Sequence, residues 1–175
     1  MKLRILRTRN EEQTGEGSCL FLPTGDKLPI VLQPDEGKVL DVLGEIITIK
    51  VAGEDTDGAY TIVQNVSPPS GGPPLHLHHR EDEAFYVLEG EYEIQCGADR
   101  INATPGTFVF APRKIPHTFR NVSAGRNKVL VIITPAGIEK FFKELSEVAK
   151  HGPLDLGRVK KVAERYEVEL MLHEG

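Results

Sequence analysis

Between residues 38 and 135 the chain is a succession of short runs rich in Val, Ile, Phe, Tyr and Thr, each closed by Gly, Pro, Asp or Ser. "VLDVLG", "EIITIKVAG" and "AYTIVQNV" come first. "LHLHH", "EAFYVLEG", "EYEIQCG", "DRINAT", "GTFVFAP", "HTFRNV" and "NKVLVIITP" follow. No stretch with a helical period lies between them, so a parallel sheet with crossover helices has nothing to build its crossovers from. Many short strands at close spacing predict an all-β sandwich or barrel. Within "EIITIKVAG" the two-residue period puts Ile47, Ile49 and Val51 on one face. "LEGEY" reads as a hairpin, with Gly90 giving the turn its backbone freedom.

Both flanks differ from this centre. Residues 10 to 37 are rich in Gly, Pro and charge and read as an arm. After Pro135 the period lengthens: Ile138, Phe141, Phe142, Leu145 and Val148 trace one helical face, and "HGP" at 151–153 supplies stop signals. A second helix follows, with Asp155 as its N-cap and Leu156, Val159, Val162, Ala163 and Tyr166 as its buried stripe. The expected organisation is a single domain over 1–175. It has an N-terminal arm (1–37), a β-barrel (38–135) and a C-terminal helical extension (136–175) holding two short helices.

Composition narrows the function. Acidic residues outnumber basic ones, 26 to 21, and the basic ones form no stripe, which is the wrong balance for a phosphate backbone. Nucleic acid is not an expected partner. Cys19 and Cys96 are far apart and form no CxxC pair, so neither a disulfide framework nor a thiolate zinc site is expected. The opening "MKLRILRTRNEEQTGEG" lacks the apolar segment of a secretion signal, and the apolar run "VLVII" is far too short to span a bilayer. A soluble, cytoplasmic protein with no membrane partner is the expectation.

The most informative nine residues are "LHLHHREDE" at 75–83. Strand alternation gives His76 and His78 one face and Leu75, Leu77 and His79 the other. Glu83 falls at an odd offset from His78. A turn through "HRED" would let its strand fold back beside the first and bring the carboxylate to the two imidazoles. Two histidines and one carboxylate leave a divalent ion short of donors. His117, opening "HTFRN" in a second hairpin, is the fourth candidate. His79 faces away by parity, while His151 and His173 sit near a helix end and in the tail.

These residues resemble two motifs of the cupin superfamily. "GGPPLHLHHREDEAFYVLEG" carries the first, with His76, His78, Glu83 and Gly90 in step, and "GTFVFAPRKIPHTFRN" carries the second, at Gly106, Pro112, His117 and Asn121. Two departures stand out. The spacing before His76 is one residue short if counted from Gly71, and Lys114 replaces the second motif's middle glycine. A lysine there disfavours the positive φ that a glycine would allow.

The resemblance implies a jelly-roll barrel, a double-stranded β-helix, holding one divalent transition metal ion (Fe, Mn, Ni, Co, Cu or Zn) on His76, His78, Glu83 and His117. The C-terminal segment is similar to that of monocupins related to bacterial quercetin 2,3-dioxygenase. This similarity implies a dioxygenase acting on a flavonol-like or related hydroxylated aromatic, with Glu83 as both ligand and general base. Phe85, Val87, Phe108, Phe110 and Phe119 lie on faces that alternation can turn inward, and are the expected pocket lining. A non-catalytic metal-containing binding module and a sugar-phosphate isomerase are the alternatives. The isomerase would need a basic pocket, whereas only Arg113, Lys114 and Arg120 lie near the second motif. A homodimer formed through an edge strand or the arm is the implied assembly.

Overall fold

A computed structural model describes residues 28–150 and 155–171. The chain divides into two units, 1–36 and 37–175. The described part of the first, 28–36, holds no helix or strand. It forms a turn in which Glu36 N donates to Gln33 O (3.1 Å) and Gln33 N donates to Glu36 Oε2 (2.8 Å). The rest of the expected arm, with Cys19, lies outside the described residues, as do His151 and His173.

The second unit is the barrel. Its strands are β1 (Lys38–Val42), β2 (Glu45–Val51), β3 (Thr61–Ser67), β4 (His76–His78), β5 (Asp82–Glu89), β6 (Tyr92–Cys96), β7 (Asp99–Ala103), β8 (Phe108–Ala111), β9 (His117–Asn121) and β10 (Asn127–Thr134). Two helices follow, α1 (Ile138–Lys150) and α2 (Leu156–Arg165), and then a last strand, β11 (Val168–Leu170). All pairings are antiparallel. One sheet runs β1-β2-β3-β10-β5-β8 and the other β11-β4-β9-β6-β7, which is the all-β jelly-roll architecture.

Alternation builds the interior. Phe85 and Val87 of β5, Val129 and Val131 of β10, and Val63 of β3 turn inward from the first sheet; Tyr92 and Ile94 of β6 and Phe119 of β9 answer from the second. Phe119 stands edge-on to both Phe85 and Tyr92, with centroids 5.7 and 5.6 Å apart. Each such buried side chain contributes roughly 1.5–3 kcal/mol relative to exposure. The β5–β6 turn needs its glycine. Gly90 has φ +78°, and a Cβ there would lie 1.8 Å from Asn127 Oδ1.

The helices follow their stripes. Ile138, Phe141 and Leu145 are buried as α1 packs on β1; Val159, Val162 and Ala163 are buried as α2 packs on α1 and β11. Asp155 Oδ1 caps α2 by accepting from Gly157 N (2.9 Å) and Arg158 N (3.2 Å). Among the described residues no helix is long and apolar enough to cross a membrane.

Two local expectations change. The chain after Tyr166 is not a helical tail: Val168–Leu170 returns as β11 and extends the second sheet by pairing with β4. Nor does β5 fold back beside β4. It crosses to the opposite sheet, between β10 and β8, so that Glu83 faces the histidines across the barrel instead of along a shared sheet.

Candidate metal centre

His76 and His78 share the inner face of β4, as strand parity requires, and His76 pairs directly with His117 of β9. From the opposite sheet Glu83, the second residue of β5, points at both strands. Its neighbour Asp82 fixes the start of β5. Asp82 takes a bidentate contact from the Arg113 guanidinium (Nε 3.0 Å, Nη2 2.7 Å) and a bond from Arg113 N (2.8 Å). Those bonds hold the Asp82 carboxyl down at about 2.

One donor atom from each of His76, His78, Glu83 and His117 lies within 4.8 Å of the others, and all four residues are buried. Opposite donors around an ion with bonds of about 2.1 Å stand roughly 4.2 Å apart, so the cluster has the span of a coordination shell. His78 Nε2 is 3.4 Å from Glu83 Oε1, and His117 Nε2 is 3.2 Å from Glu83 Oε2. The rings are oriented from behind. His76 Nδ1 donates to Pro74 O (2.8 Å) and His117 Nδ1 to Ile115 O (2.9 Å). A carbonyl oxygen only accepts, so both Nδ1 atoms carry the proton and both Nε2 lone pairs face the cluster.

The electrostatics differ from group to group. Burial, with the neighbouring His117 and His78, pushes His76 down to about 3 and keeps its imidazole neutral. Burial alone would raise Glu83, but His78 and His117 outweigh it and hold the carboxyl at about 2. For His117 burial acts downward, and the contact with the Glu83 carboxylate outweighs it and raises the imidazole above its usual value. The decisive detail is an orphan: buried His117 Nε2 makes no hydrogen bond of ordinary geometry. Three imidazoles and one carboxylate are also the donor types that a borderline divalent ion takes. The residues present therefore fit such an ion.

Residues 63–133, from within β3 into β10, match the family model described as a cupin domain. Over that stretch the chain resembles the cupin family. Over 126 residues it is 29% identical to quercetin 2,3-dioxygenase of Bacillus subtilis, a match covering 72% of this chain and only 37% of that protein's length. Among solved structures, KdgF from Halomonas sp. overlays with a TM-score of 0.55 at 19% identity, over 62% of this chain and 94% of that one. The polyketide cyclase RemF from Streptomyces resistomycificus overlays with a TM-score of 0.53, also at 19% identity, over 61% of this chain and 80% of that one. Both likenesses bear on the fold.

The cluster opens onto a cavity of about 340 Å³, reached by His76, His78 and Glu83. Phe85 and Phe119 line its barrel side; Phe141, Phe142 and Leu145 of α1 and Leu156 and Val159 of α2 close it. No lysine or arginine lines it among the described residues. The rest of the expected lining lies elsewhere. Val87 is fully buried core away from the cavity wall, and Phe108 and Phe110 point outward, 60% and 54% exposed. On β8 it is Val109 and Ala111 that turn in. His79 is exposed and 3.1 Å from Glu169 of β11. Lys114 does adopt positive φ (+66°), and its N–H donates to His78 O at 2.7 Å. One buried polar residue at the site had no periodic signal in the sequence: Glu81, 2% exposed, whose Oε2 lies 3.4 Å from His78 Nδ1.

Proposed function

We propose that the protein is a metal-dependent dioxygenase acting on a flavonol-like or related hydroxylated aromatic substrate. His76, His78, Glu83 and His117 would hold one divalent transition metal ion. The observation that carries this reading is the buried three-histidine, one-glutamate cluster at the wall of an apolar cavity with no basic residue in its lining among the described residues. A flat aromatic body fits such walls, and a hydroxyl is the polar group it would bring to the cluster. The similarity to the Bacillus subtilis quercetin 2,3-dioxygenase supports the same reaction class.

A bound ion would supply Lewis acidity towards the substrate hydroxyl and, for a redox-active metal, electrons towards dioxygen. The chain's own part is separable. Phe85 and Phe119 present ring faces and edges against which an aromatic substrate packs, and the α1 and α2 side chains exclude water. Glu83, held anionic at neutral pH, accepts the hydroxyl proton at a carboxylate oxygen. A sugar phosphate would bring two negative charges to a cavity whose lining holds no lysine or arginine among the described residues. Arg113 is bound to Asp82, and Arg120 lies on the outer side beside Glu93.

The test is oxygen uptake with quercetin by protein reconstituted with each candidate metal, alongside elemental analysis. Consumption with at least one metal supports the reading. Full occupancy without consumption of any flavonol overturns it in favour of a binding module. Glu83→Gln should keep part of the metal yet lose turnover far more than Glu83→Asp, by a factor on the order of 10²–10⁴ if the proton acceptor is removed. Equal turnover in Glu83→Gln and wild type removes Glu83 as the base.

A further inference from the structure

Three imidazoles face the same point, but they are not supported in the same way. Backbone carbonyls two residues earlier in the chain hold Nδ1 of His76 and of His117. His78 has no such carbonyl. Its Nδ1 faces Glu81 Oε2 at 3.4 Å, with the two side chains only 2% and 3% exposed, and neither atom has a hydrogen-bond partner. Leaving a buried charged oxygen unpaired costs more than leaving a neutral one unpaired, so such an atom calls for an explanation. The nearby guanidinium of Arg113 turns Nε and Nη2 to Asp82 and makes no hydrogen bond to this oxygen.

Resting on the metal reading above, we propose that Glu81 is a positioning residue for the centre: its carboxylate accepts the Nδ1 proton of His78, fixing that ring with Nε2 towards the ion. A closure of about half an ångström brings the pair to the length of an ordinary charge-assisted bond. The consequence is asymmetry. A full negative charge behind His78 draws its Nδ1 proton more strongly than a carbonyl dipole does, and makes Nε2 a better electron donor than Nε2 of His76 or His117. The sequence places this group economically. Glu81 is three residues after His78 in the crossing from β4 to β5, so the segment that carries Glu83 to the other sheet also supports the second histidine.

The experiment uses zinc, which is diamagnetic, on the full chain labelled with ¹⁵N-histidine. In wild type the Nδ1 resonance of His78 should stand apart from those of His76 and His117, a readout that needs no variant to fold. In Glu81→Gln, which keeps an acceptor of the same shape without the charge, the His78 signal should move towards the other two while theirs stay put. Zinc affinity, measured by competition with a chromophoric chelator, should fall on the order of 10- to 100-fold in Glu81→Ala and less in Glu81→Gln. Three equivalent Nδ1 signals in wild type, or unchanged zinc affinity in folded Glu81→Gln, overturn the proposal while leaving the metal reading intact. A wild type that takes up no zinc, cobalt, nickel, iron, manganese or copper overturns both.

Discussion

Glu83 and Glu139 are both buried carboxylates, 6% and 5% exposed, in opposite surroundings. Glu139, at the start of α1, is met only by donors: Thr61 Oγ1 at 2.7 Å, Gly137 N at 2.9 Å and Gly53 N at 3.3 Å. Those bonds tie α1 to β3 and to the 3-10 turn at Gly53–Asp55, and nothing is left over. Burial pushes the Glu139 carboxyl up, and the Thr61 hydroxyl with the backbone N–H groups outweighs it, holding it below the usual range. Glu83 reaches a low value by a different route, through its contacts with imidazoles, and His117 Nε2 beside it makes no hydrogen bond of ordinary geometry. A carboxylate that serves the fold is satisfied by its neighbours, whereas the one in the cluster leaves its neighbours' lone pairs available to something else.

The largest way to break that contrast is to add the missing partner. Zinc or cobalt at a thousandfold excess over its dissociation constant should raise unfolding stability by about 4 kcal/mol, read as a rise in Tm. His76→Ala and His117→Ala should abolish the shift. If the ion stabilises His117→Ala as much as wild type, the cluster is not where it binds.

Glu139→Gln sharpens the contrast from the other side. Replacing an acceptor of three charge-assisted bonds should cost about 1.5–3 kcal/mol at neutral pH and leave the metal-induced shift unchanged. The sign with pH follows from the lowered folded-state pKa. The contribution is present above the unfolded value of 4.5 and lost as pH falls through the folded one, so wild type and Glu139→Gln should converge in acid. Denaturant titrations on both sides of the carboxylate range measure this. A gap that persists in acid would mean that shape, and not charge, holds α1 to the barrel.

How far these regions could be read beforehand depends on whether the signal is local. The strands were legible because apolar alternation and turn residues mark them, and His76 with His78 because parity alone sets their face. Which face of β8 turns inward was not: "FVFA" is apolar on both sides, so alternation groups Phe108 with Phe110 without saying that Val109 and Ala111 fill the core. The crossing of β5 to the opposite sheet depends on long-range pairing with β10 and β8, which "HRED" does not encode. β11 was hidden because the helical stripe runs on to Tyr166 and "VEL" gains its order only by pairing with β4. Glu81 carried no period at all, sitting in a charged turn where exposure is the ordinary outcome.

The smallest expected effect concerns the backbone beneath the cluster. Lys114 stands at φ +66° in the loop that leads into His117, and an L-residue there costs roughly 1–2 kcal/mol relative to the right-handed region. Lys114→Gly removes that penalty and adds back about 0.5–1 kcal/mol of unfolded-state entropy, so a net gain of up to ~1.5 kcal/mol should appear in denaturant titration. The tie from this loop to β4 is Lys114 N–H donating to His78 O, a backbone bond that glycine keeps. Zinc affinity should therefore stay within about twofold, well short of the change expected at Glu81. A tenfold fall would show that the strained loop helps to set the position of His78, extending to the backbone the difference between a region built for the fold and one built for a ligand.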